Sequence, residues 1–524
     1  MGQINAGPSG RRMDTADEDR IIRSPTLTPG EQVQSFWKDK QLIRREPPNR
    51  HDKAGQADRL GQSLIAGDRS RMTEIANHAQ GLGEESSIWF KLTPLLRGDP
   101  ENPMRILMMM ADRYGPVVPV NMANQRIVLI SEPEYFKHVL VTNADNYIKY
   151  FDGLKPIFGK SMITNDGALW QKIRMPQQPA FHPDMFAEYI PYFLQAIQAK
   201  MDLWAELAKT GETFEMVEQT WTLAADMICK ALFDRDMPFN PHVVFKCVKT
   251  YTDVMNHRDI RLRKQAGEVF EMTDEDASKA MEVWANVPAA VMGADPREMR
   301  ERTLLTMIEA AANDPNVPEF DRQQAIDELK QYLWAGTETT ALTLAWALYE
   351  TSRRPETAEM IRREGEQVYG DRAPTAADYS GLAYTRAVIQ ETMRLYPPIW
   401  GLIRVAVEAD EIGGKEIKPG DRVTLFAYGA HHNPKFWEEP EEFRPERWLA
   451  GNAKKQVKYS YLPFGAGKRS CIGGAMSQVE NTLALSILLR RFRPEYVGAN
   501  PAGLNATVTL TPKGGLPFKI RELS

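Results

Sequence analysis

The chain has 524 residues, of which 43% are hydrophobic and 26% are charged. This is the usual mix of a globular protein, and the length allows either two domains or one large domain with a deep, dry pocket. The formal net charge of -5 and the pI near 6.0 indicate no strong basic field. We therefore expect no nucleic-acid partner.

The three cysteines, Cys229, Cys247 and Cys471, cannot all pair with one another, and none stands in a C-x-x-C spacing. This argues against a disulfide scaffold, a zinc site and an iron–sulfur cluster, and it favours a reducing compartment. The N-terminus lacks the apolar core of a signal peptide, and no apolar run reaches the roughly 18 residues that cross a bilayer. The sequence thus predicts a cytoplasmic protein without a transmembrane segment.

The first 85 residues are rich in Gly, Arg, Asp, Gln and Pro and have few periodic apolar positions. We expect residues 1–85 to form a poorly ordered or loosely attached leader, followed by one large domain over residues 86–524. The pattern becomes regular from Pro103 onwards. Residues 106–114 fit a helix, and the apolar runs 116–120 and 126–130 indicate a β-hairpin.

Most of the stretch 133–394 predicts helices separated by prolines and glycines, and strand signals return at 422–426 and 507–510. The expected fold class is therefore mainly α with a small β part. Within the helical stretch, Trp170 and Arg174 place an aromatic ring and a cation on one helix face. Taken alone, both are ordinary surface residues.

Residues 321–354 predict one helix of roughly 50 Å, long enough to cross the molecule. Its middle is apolar nearly all round, which indicates burial, yet the run Gly336-Thr-Glu-Thr-Thr340 interrupts it. One interpretation is that Thr337, Thr339 and Thr340 bond back to carbonyls one turn earlier, while Glu338 reaches water at an edge. The other is functional, because burying a carboxylate and hydroxyls is costly unless they find partners or a task.

Two further patterns follow the long helix. Glu391 and Arg394 stand three residues apart on the next predicted helix, a spacing that is typical of a surface ion pair worth roughly a few tenths of a kcal/mol. Arg404 follows the double proline Pro397-Pro398 after a short apolar stretch. Taken alone, it is also an ordinary surface cation.

A glycine-rich loop, FGAGKRSCIG at residues 464–473, precedes a helical apolar pattern. It delivers Cys471 to a helix start, where backbone N–H groups and the helix dipole favour thiolate over thiol. The glycines permit positive φ and close approach to something flat, and Arg469 can donate to an anion. A lone cysteine is more often a small buried residue in a turn. Cys229 and Cys247 fit that structural interpretation.

The loop meets every fixed position of the pattern F-x-x-G-x-R-x-C-x-G, through Phe464, Gly467, Arg469, Cys471 and Gly473. In this the chain resembles the cytochrome P-450 family, as a soluble bacterial-type member, and the resemblance extends from about residue 88 to the C-terminus. It implies the P-450 fold and a haem b (iron protoporphyrin IX) cofactor. It also implies that Cys471 is the axial ligand of the iron and that its thiolate pushes electron density that helps to cleave the O–O bond.

The same resemblance assigns the other motifs. Glu338 and Thr339 match the acid–alcohol pair that supplies protons for oxygen activation. Glu391-Thr-Met-Arg394 matches the E-x-x-R motif, a structural element that Arg447 completes, although Trp448 stands where phenylalanine is more usual. The expected haem-binding residues, most of them donors to the two propionates, are Trp170, Arg174, Arg404, Phe464, Arg469 and Cys471.

The implied reaction is a monooxygenation, in which one oxygen atom of O2 enters a small apolar substrate such as a fatty acid, terpenoid or steroid. Since no flavodoxin-like segment is found in the 53 residues after Cys471, we expect a separate ferredoxin or flavodoxin donor with its reductase. A local basic patch would attract an acidic donor. Its candidate residues are Lys172, Lys454, Lys455, Lys458 and Lys468.

Two alternative functions stay open at this point. A peroxide-using haem-thiolate enzyme would need no electron donor, and a non-catalytic haem-binding sensor would need the cysteine loop alone. The pair Glu338 and Thr339 argues against both, because neither function requires proton delivery.

Overall fold

The computed structural model describes residues 102, 104–122, 125–151, 154–256, 274–450, 452, 456–499, 501–506 and 508–523. The predicted leader of residues 1–85 lies outside this part of the chain, so the domain boundary at residue 86 stays a prediction. Among the described residues, no helix combines the length and the apolar character that crossing a membrane requires.

Helices dominate the described chain, which confirms the mainly α prediction. The first half contains α1 Arg105–Tyr114, α2 Pro133–Lys137, α3 Lys155–Phe158, α4 Gly167–Gln177, α5 Phe186–Thr210, α6 Met216–Phe233, α7 Pro241–Asn256 and α8 Asp274–Gly293. The second half contains α9 Leu304–Ala312, α10 Arg322–Gln331, α11 Thr337–Ser352, α12 Pro355–Val368, α13 Ala383–Leu395, α14 Ala427–His431 and α15 Gly474–Arg491.

The strands are β1 Val117–Met122, β2 Gln125–Ile130, β3 Tyr147–Lys149, β4 Phe214–Glu215, β5 Leu402–Ala406, β6 Asp410–Ile412, β7 Lys415–Ile417, β8 Arg422–Leu425, β9 Phe492–Tyr496, β10 Leu504–Ala506, β11 Leu510–Pro512 and β12 Pro517–Glu522. The main sheet has the strand order β1-β2-β8-β5-β3, in which β2 and β8 run parallel and the other neighbours antiparallel. A smaller sheet has the order β4-β12-β9, and β6–β7 and β10–β11 form hairpins.

The predicted strand at 507–510 is wrong in position. β10 ends at Ala506 and β11 begins at Leu510, so the alternating run lies across the tip of a hairpin rather than along one strand. The tip is held by tertiary contacts, because the Leu510 N–H donates to the Pro398 carbonyl (2.9 Å). The predicted first helix, the hairpin β1–β2 and the strand at 422–426 are confirmed.

The predicted long helix is present as two α-helical halves, α10 and α11, joined by a π-helical turn at Tyr332–Gly336. The Asp321 side chain caps its start by accepting from the Gln324 N–H (2.8 Å), and Pro355 begins the following helix. In the stretch 340–350 every residue is buried, as the all-round apolar pattern predicts. The long helix is therefore an axis of the core.

The Glu391–Arg394 pair is buried in the core, and both side chains have 0% exposure. The pair is bidentate, with both N–O distances 2.9 Å, and Arg447 adds a third cationic contact to Glu391 (3.2 Å). The Trp448 indole N–H also donates to Glu391 (2.8 Å), a hydrogen bond that a phenylalanine could not make. The remaining N–H groups of Arg394 donate to main-chain oxygens of His431, Pro440 and Glu442.

We predict that Trp448→Phe lowers the free energy of unfolding of the holoprotein by about 1.5–3 kcal/mol, because a buried carboxylate loses a donor. Urea titration measures this. Trp437→Phe is the matched control, since the Trp437 indole donates to a neutral carbonyl, that of Ala430 (3.0 Å), and its loss should cost only about 0.5–1.5 kcal/mol. An effect of Trp448→Phe no larger than the control would contradict the assignment.

Candidate active site

The cysteine loop, residues 464–473, packs closely against the backbone at Leu140. Gly465 and Gly467 have φ of 67° and 69°, a region that favours glycine. A Cβ at Gly467 would collide with the main-chain oxygen of Leu140, so this position requires glycine for a second reason. The Cys471 N–H donates to the Phe464 carbonyl (2.9 Å), which closes the loop.

Cys471 stands just before α15, as the sequence predicts. Burial raises the pKa of its thiol, while the N–H groups of Gly473 and Gly474 and the charges of Arg174 and Lys149 lower it. The side chain nevertheless keeps accessible surface, so a ligand can reach the space beside the sulfur. A metal ion in that space would hold the sulfur as thiolate. Cys229 and Cys247 are buried on α6 and α7, as expected of structural cysteines.

The predicted cofactor-binding cations converge beside this loop. The Arg174 guanidinium donates to the Ser470 carbonyl (3.1 Å), and the Arg469 guanidinium lies 3.7 Å from the centre of the Trp170 ring. The Trp170 indole N–H is buried and has no hydrogen-bond partner among the described residues. An anion bound here would be attracted by the two guanidinium groups and could accept a hydrogen bond from the indole N–H.

Lys149 belongs to this cluster, although the sequence gave no reason to single it out. The antiparallel pairing of β3 with β5 places Lys149 opposite Arg404, which is 5% exposed. Burial, together with the charges of Arg404 and Arg469, lowers the pKa of Lys149 to about 7, and burial lowers that of Arg404 to about 10. A short stretch with the pattern Tyr-Ile-Lys gives no signal of this role.

The cluster carries more positive than negative charge. Asp166 is the carboxylate that faces it: it pairs with Arg469 and accepts from the Lys149 N–H (2.6 Å). Buried cations held together in this way fit a ligand with two carboxylates, such as the propionates of haem. The residues present therefore fit the cofactor that the loop pattern implies.

The long helix presents a narrow accessible face. From residue 332 to residue 350, Ala335, Gly336 and Thr339 alone keep intermediate exposure, and their spacing places them on one face. A Cβ at Gly336 would lie 2.8 Å from the Ile228 side chain, so glycine allows close packing of α6 here. The three accessible residues lie where the π-helical turn meets α11.

The predicted acid–alcohol pair occupies the first turn of α11. Glu338 is buried, and Thr509 at the tip of the β10–β11 hairpin donates to its carboxylate (3.4 Å). The Thr339 hydroxyl bonds back to the Ala335 carbonyl (2.8 Å), as the structural interpretation expected. Thr340 does not follow that interpretation, because its hydroxyl pairs with Ser477 of α15 (3.3 Å). Glu338 also lies in the interior rather than at an edge.

The structure thus brings Trp170, Arg174, Arg404, Arg469 and Cys471 together, and Phe464 supports the loop by packing against Gly474. An accessible thiol beside excess positive charge is the arrangement of a haem-thiolate site. The chain belongs to the cytochrome P450 family: the family model described as Cytochrome P450 matches residues 83–516. It is therefore a P450 monooxygenase, an oxidoreductase that incorporates oxygen, of a haem-binding family.

Two relatives from Streptomyces melanosporofaciens support this. Cyclooctatin synthase is 31% identical over 392 residues, covering 72% of this chain and 83% of the relative. Cyclooctat-9-en-7-ol 5-monooxygenase is 28% identical over 390 residues, with the same coverage. The protein LUTEIN DEFICIENT 5, chloroplastic, from Arabidopsis thaliana is 30% identical and covers 78% of this chain and 72% of the relative.

Solved structures show the same fold. The haem domain of cytochrome P450DA has a TM-score of 0.68 at 20% identity and covers 80% of this chain and 92% of that chain. The cytochrome P450 CYP102L1 has a TM-score of 0.69 at 23% identity and covers 80% and 98%. The predicted P-450 fold is confirmed.

We predict that haem binding by the apoprotein takes up about one more proton at pH 8 than at pH 6. Lys149 is largely uncharged at pH 8, since its pKa is about 7, and the haem propionates favour its charged form. The Cys471 thiol, whose pKa is raised, gives up its proton at both pH values and so does not contribute to the difference. Calorimetry in two buffers of different ionisation enthalpy measures the protons exchanged. Lys149→Met should abolish the difference between the two pH values, and the surface variant Lys172→Met should retain it. Equal proton exchange at both pH values would contradict this role.

Proposed function

We propose that Cys471 supplies the axial thiolate to the iron of haem b. Trp170, Arg174, Arg404 and Arg469, joined by Lys149, hold the propionates. The observation that carries the proposal is the largely buried cation cluster beside the thiol, together with the indole N–H of Trp170, which is buried and has no hydrogen-bond partner among the described residues. Phe464 fixes the loop that carries the cysteine.

Bound haem supplies the redox chemistry by which one oxygen atom of O2 is inserted into the substrate. The chain's own residues control the delivery of protons to the site. Thr339 lies on the accessible face of the long helix. Its hydroxyl donates to the Ala335 carbonyl and keeps lone pairs that can accept a hydrogen bond from a proton donor. Glu338, one residue earlier, is the acid that passes protons to this hydroxyl through water.

The substrate is a small apolar molecule, of the fatty-acid, terpenoid or steroid type. Beside the accessible face, Trp334 packs edge-on against Phe158 of α3 and Trp284 of α8, with ring centres 5.7 Å and 5.2 Å apart. These buried rings make the surroundings of the accessible face apolar, which favours an apolar ligand. The names of the two Streptomyces relatives favour a cyclic hydrocarbon skeleton within this class.

A ferredoxin or flavodoxin with its reductase supplies the electrons. Of the five lysines expected to attract it, Lys454 and Lys455 lie outside the described residues. Lys172 pairs with Glu319 (2.5 Å) and Lys468 pairs with Asp145, so part of the expected positive charge is neutralised within the chain. The acidic character of the donor and the cytoplasmic location stay predictions.

The first test is Cys471→Ser. We expect the reduced carbon-monoxide adduct to lose its thiolate-specific spectrum, because oxygen cannot match sulfur as an electron-donating ligand. Cys229→Ser, at a buried position on α6, is the control and should keep that spectrum. Retention of the thiolate spectrum in Cys471→Ser would refute the proposal.

The second test is Thr339→Ala. We expect haem content and substrate binding to stay near normal, while product formed per electron consumed falls by about tenfold or more and peroxide accumulates, because proton delivery is a task of the transition state. Thr339→Ser should restore most of the coupling. Unchanged coupling in the alanine variant, or full activity with peroxide in place of O2 and donor, would favour a peroxide-using enzyme.

A further inference from the structure

A polar stripe runs along α10 where a core helix normally carries apolar residues. Gln324, Asp327, Glu328 and Gln331 have the spacing i, i+3, i+4 and i+7, and all four are buried, with exposures of 0–5%. Burying such groups is costly unless they are hydrogen-bonded. Their partners therefore define what the stripe does.

The stripe binds the backbone of the segment 159–165, which connects α3 to α4. Lys160 N–H donates to Asp327 (2.8 Å), Met162 N–H to Glu328 (2.7 Å) and Ile163 N–H to Gln331 (2.6 Å). The Gln324 side chain donates to the Lys160 carbonyl (2.7 Å). We call this set of contacts the latch.

Glu328 occupies the centre of the latch and extends it to α4. Its Oε1 accepts from Met162 N–H and from Gln324 (2.7 Å), and its Oε2 accepts from the side chain of Gln177 (3.1 Å). Gln177 is fully buried and follows Arg174 by three residues, about one turn of α4. One carboxyl group on α10 thus joins the first half of the long helix to the segment 159–165 and to α4, the helix that carries Trp170 and Arg174.

The donors to Glu328 are neutral. Asp327 beside it raises its pKa further and is itself bonded to Lys330 (3.2 Å), the Lys160 side chain is exposed, and the Arg174 guanidinium faces Tyr332. Burial raises the pKa of Glu328 to about 8. Tyr332 also interacts electrostatically with Glu328, and burial raises the pKa of the Tyr332 hydroxyl, so this neighbour stays uncharged.

We propose that Glu328 is a positioning residue, which fastens α4 and the segment 159–165 to α10 and so holds Trp170 and Arg174 in place for the haem propionates. The consequence for haem rests on the proposed function. The latch itself rests on the hydrogen bonds above.

Opening the latch would expose Glu328 to water and return its pKa from about 8 towards the ordinary value of 4.5. The closed form therefore binds the proton more tightly, and closure is favoured at low pH. Between about pH 5 and pH 8 the opening equilibrium should rise by up to about tenfold per pH unit, and above pH 8 it should level off.

Hydrogen exchange of the Met162 and Ile163 amides in the holoprotein tests the latch. After correction for intrinsic exchange, we expect opening to increase by at least about tenfold between pH 6 and pH 8 in the wild type. Glu328→Gln keeps an oxygen acceptor but cannot titrate, so its opening should not change over this range. Glu319→Gln is the matched control: it removes a surface carboxylate that also reaches α4, through Lys172, and should behave as the wild type.

The rate of haem transfer to apomyoglobin tests the consequence for the site. We expect it to rise severalfold from pH 6 to pH 8 in the wild type and in Glu319→Gln, and to rise clearly less in Glu328→Gln, where Lys149 still titrates but the latch does not. Gln177→Leu, which cuts the link to α4 alone, should speed transfer at both pH values without opening the segment 159–165.

The outcomes separate the two proposals. Exchange that is independent of pH in the wild type, or equally dependent on it in Glu328→Gln, would overturn the latch. Exchange that follows the expected pattern while haem transfer does not would overturn the positioning role. A protein that binds haem without a thiolate spectrum would instead refute the ligand assigned to Cys471, and the exchange measurement would still decide the latch.

Discussion

Mutual repulsion among buried cations is the constraint on which the site depends. Lys149, Arg174, Arg404 and Arg469 come from four separate segments, and the carboxylate of Asp166 faces three of them, Lys149, Arg404 and Arg469. Without a bound dianion, such a group destabilises the fold. Burial is the larger cause of the lowered pKa of Lys149, and the charges of Arg404 and Arg469 lower it further. Every element that carries one of these cations must therefore be held in place by contacts elsewhere.

Those contacts are stiff and buried. The register of β3 against β5 and β8 fixes Lys149 and Arg404, and the Glu391–Arg394 network fixes the segment that leads to the cysteine loop. Both rely on hydrogen bonds that are satisfied in full, which gives low-dielectric networks their rigidity. The site is thus prepared by the fold before the cofactor contributes any bond.

Sequence reasoning found the features that are local in the chain. The cysteine loop, the long helix with its polar interruption and the hairpin β1–β2 all show in short windows, because spacing and glycine content carry the signal. It could not find Lys149 or the latch at Glu328. The decisive partners, Arg404 for Lys149 and Met162 and Gln177 for Glu328, lie more than 150 residues away along the chain. Alternation alone also misplaced the strand at 507–510, since a hairpin tip can alternate as a strand does. The roles of Glu338, Thr339 and the cofactor-binding residues stay predictions that the geometry supports.

The segment 159–165 has the composition of a surface loop, with Gly, Lys, Ser, Thr and Asn among its seven residues. Surface loops usually tolerate insertions and randomisation. This one is bound through its backbone, and Gly159 has no room for a Cβ against Asp327. Libraries that diversify its side chains at fixed length keep the hydrogen bonds, whereas a one-residue insertion shifts all of them out of register.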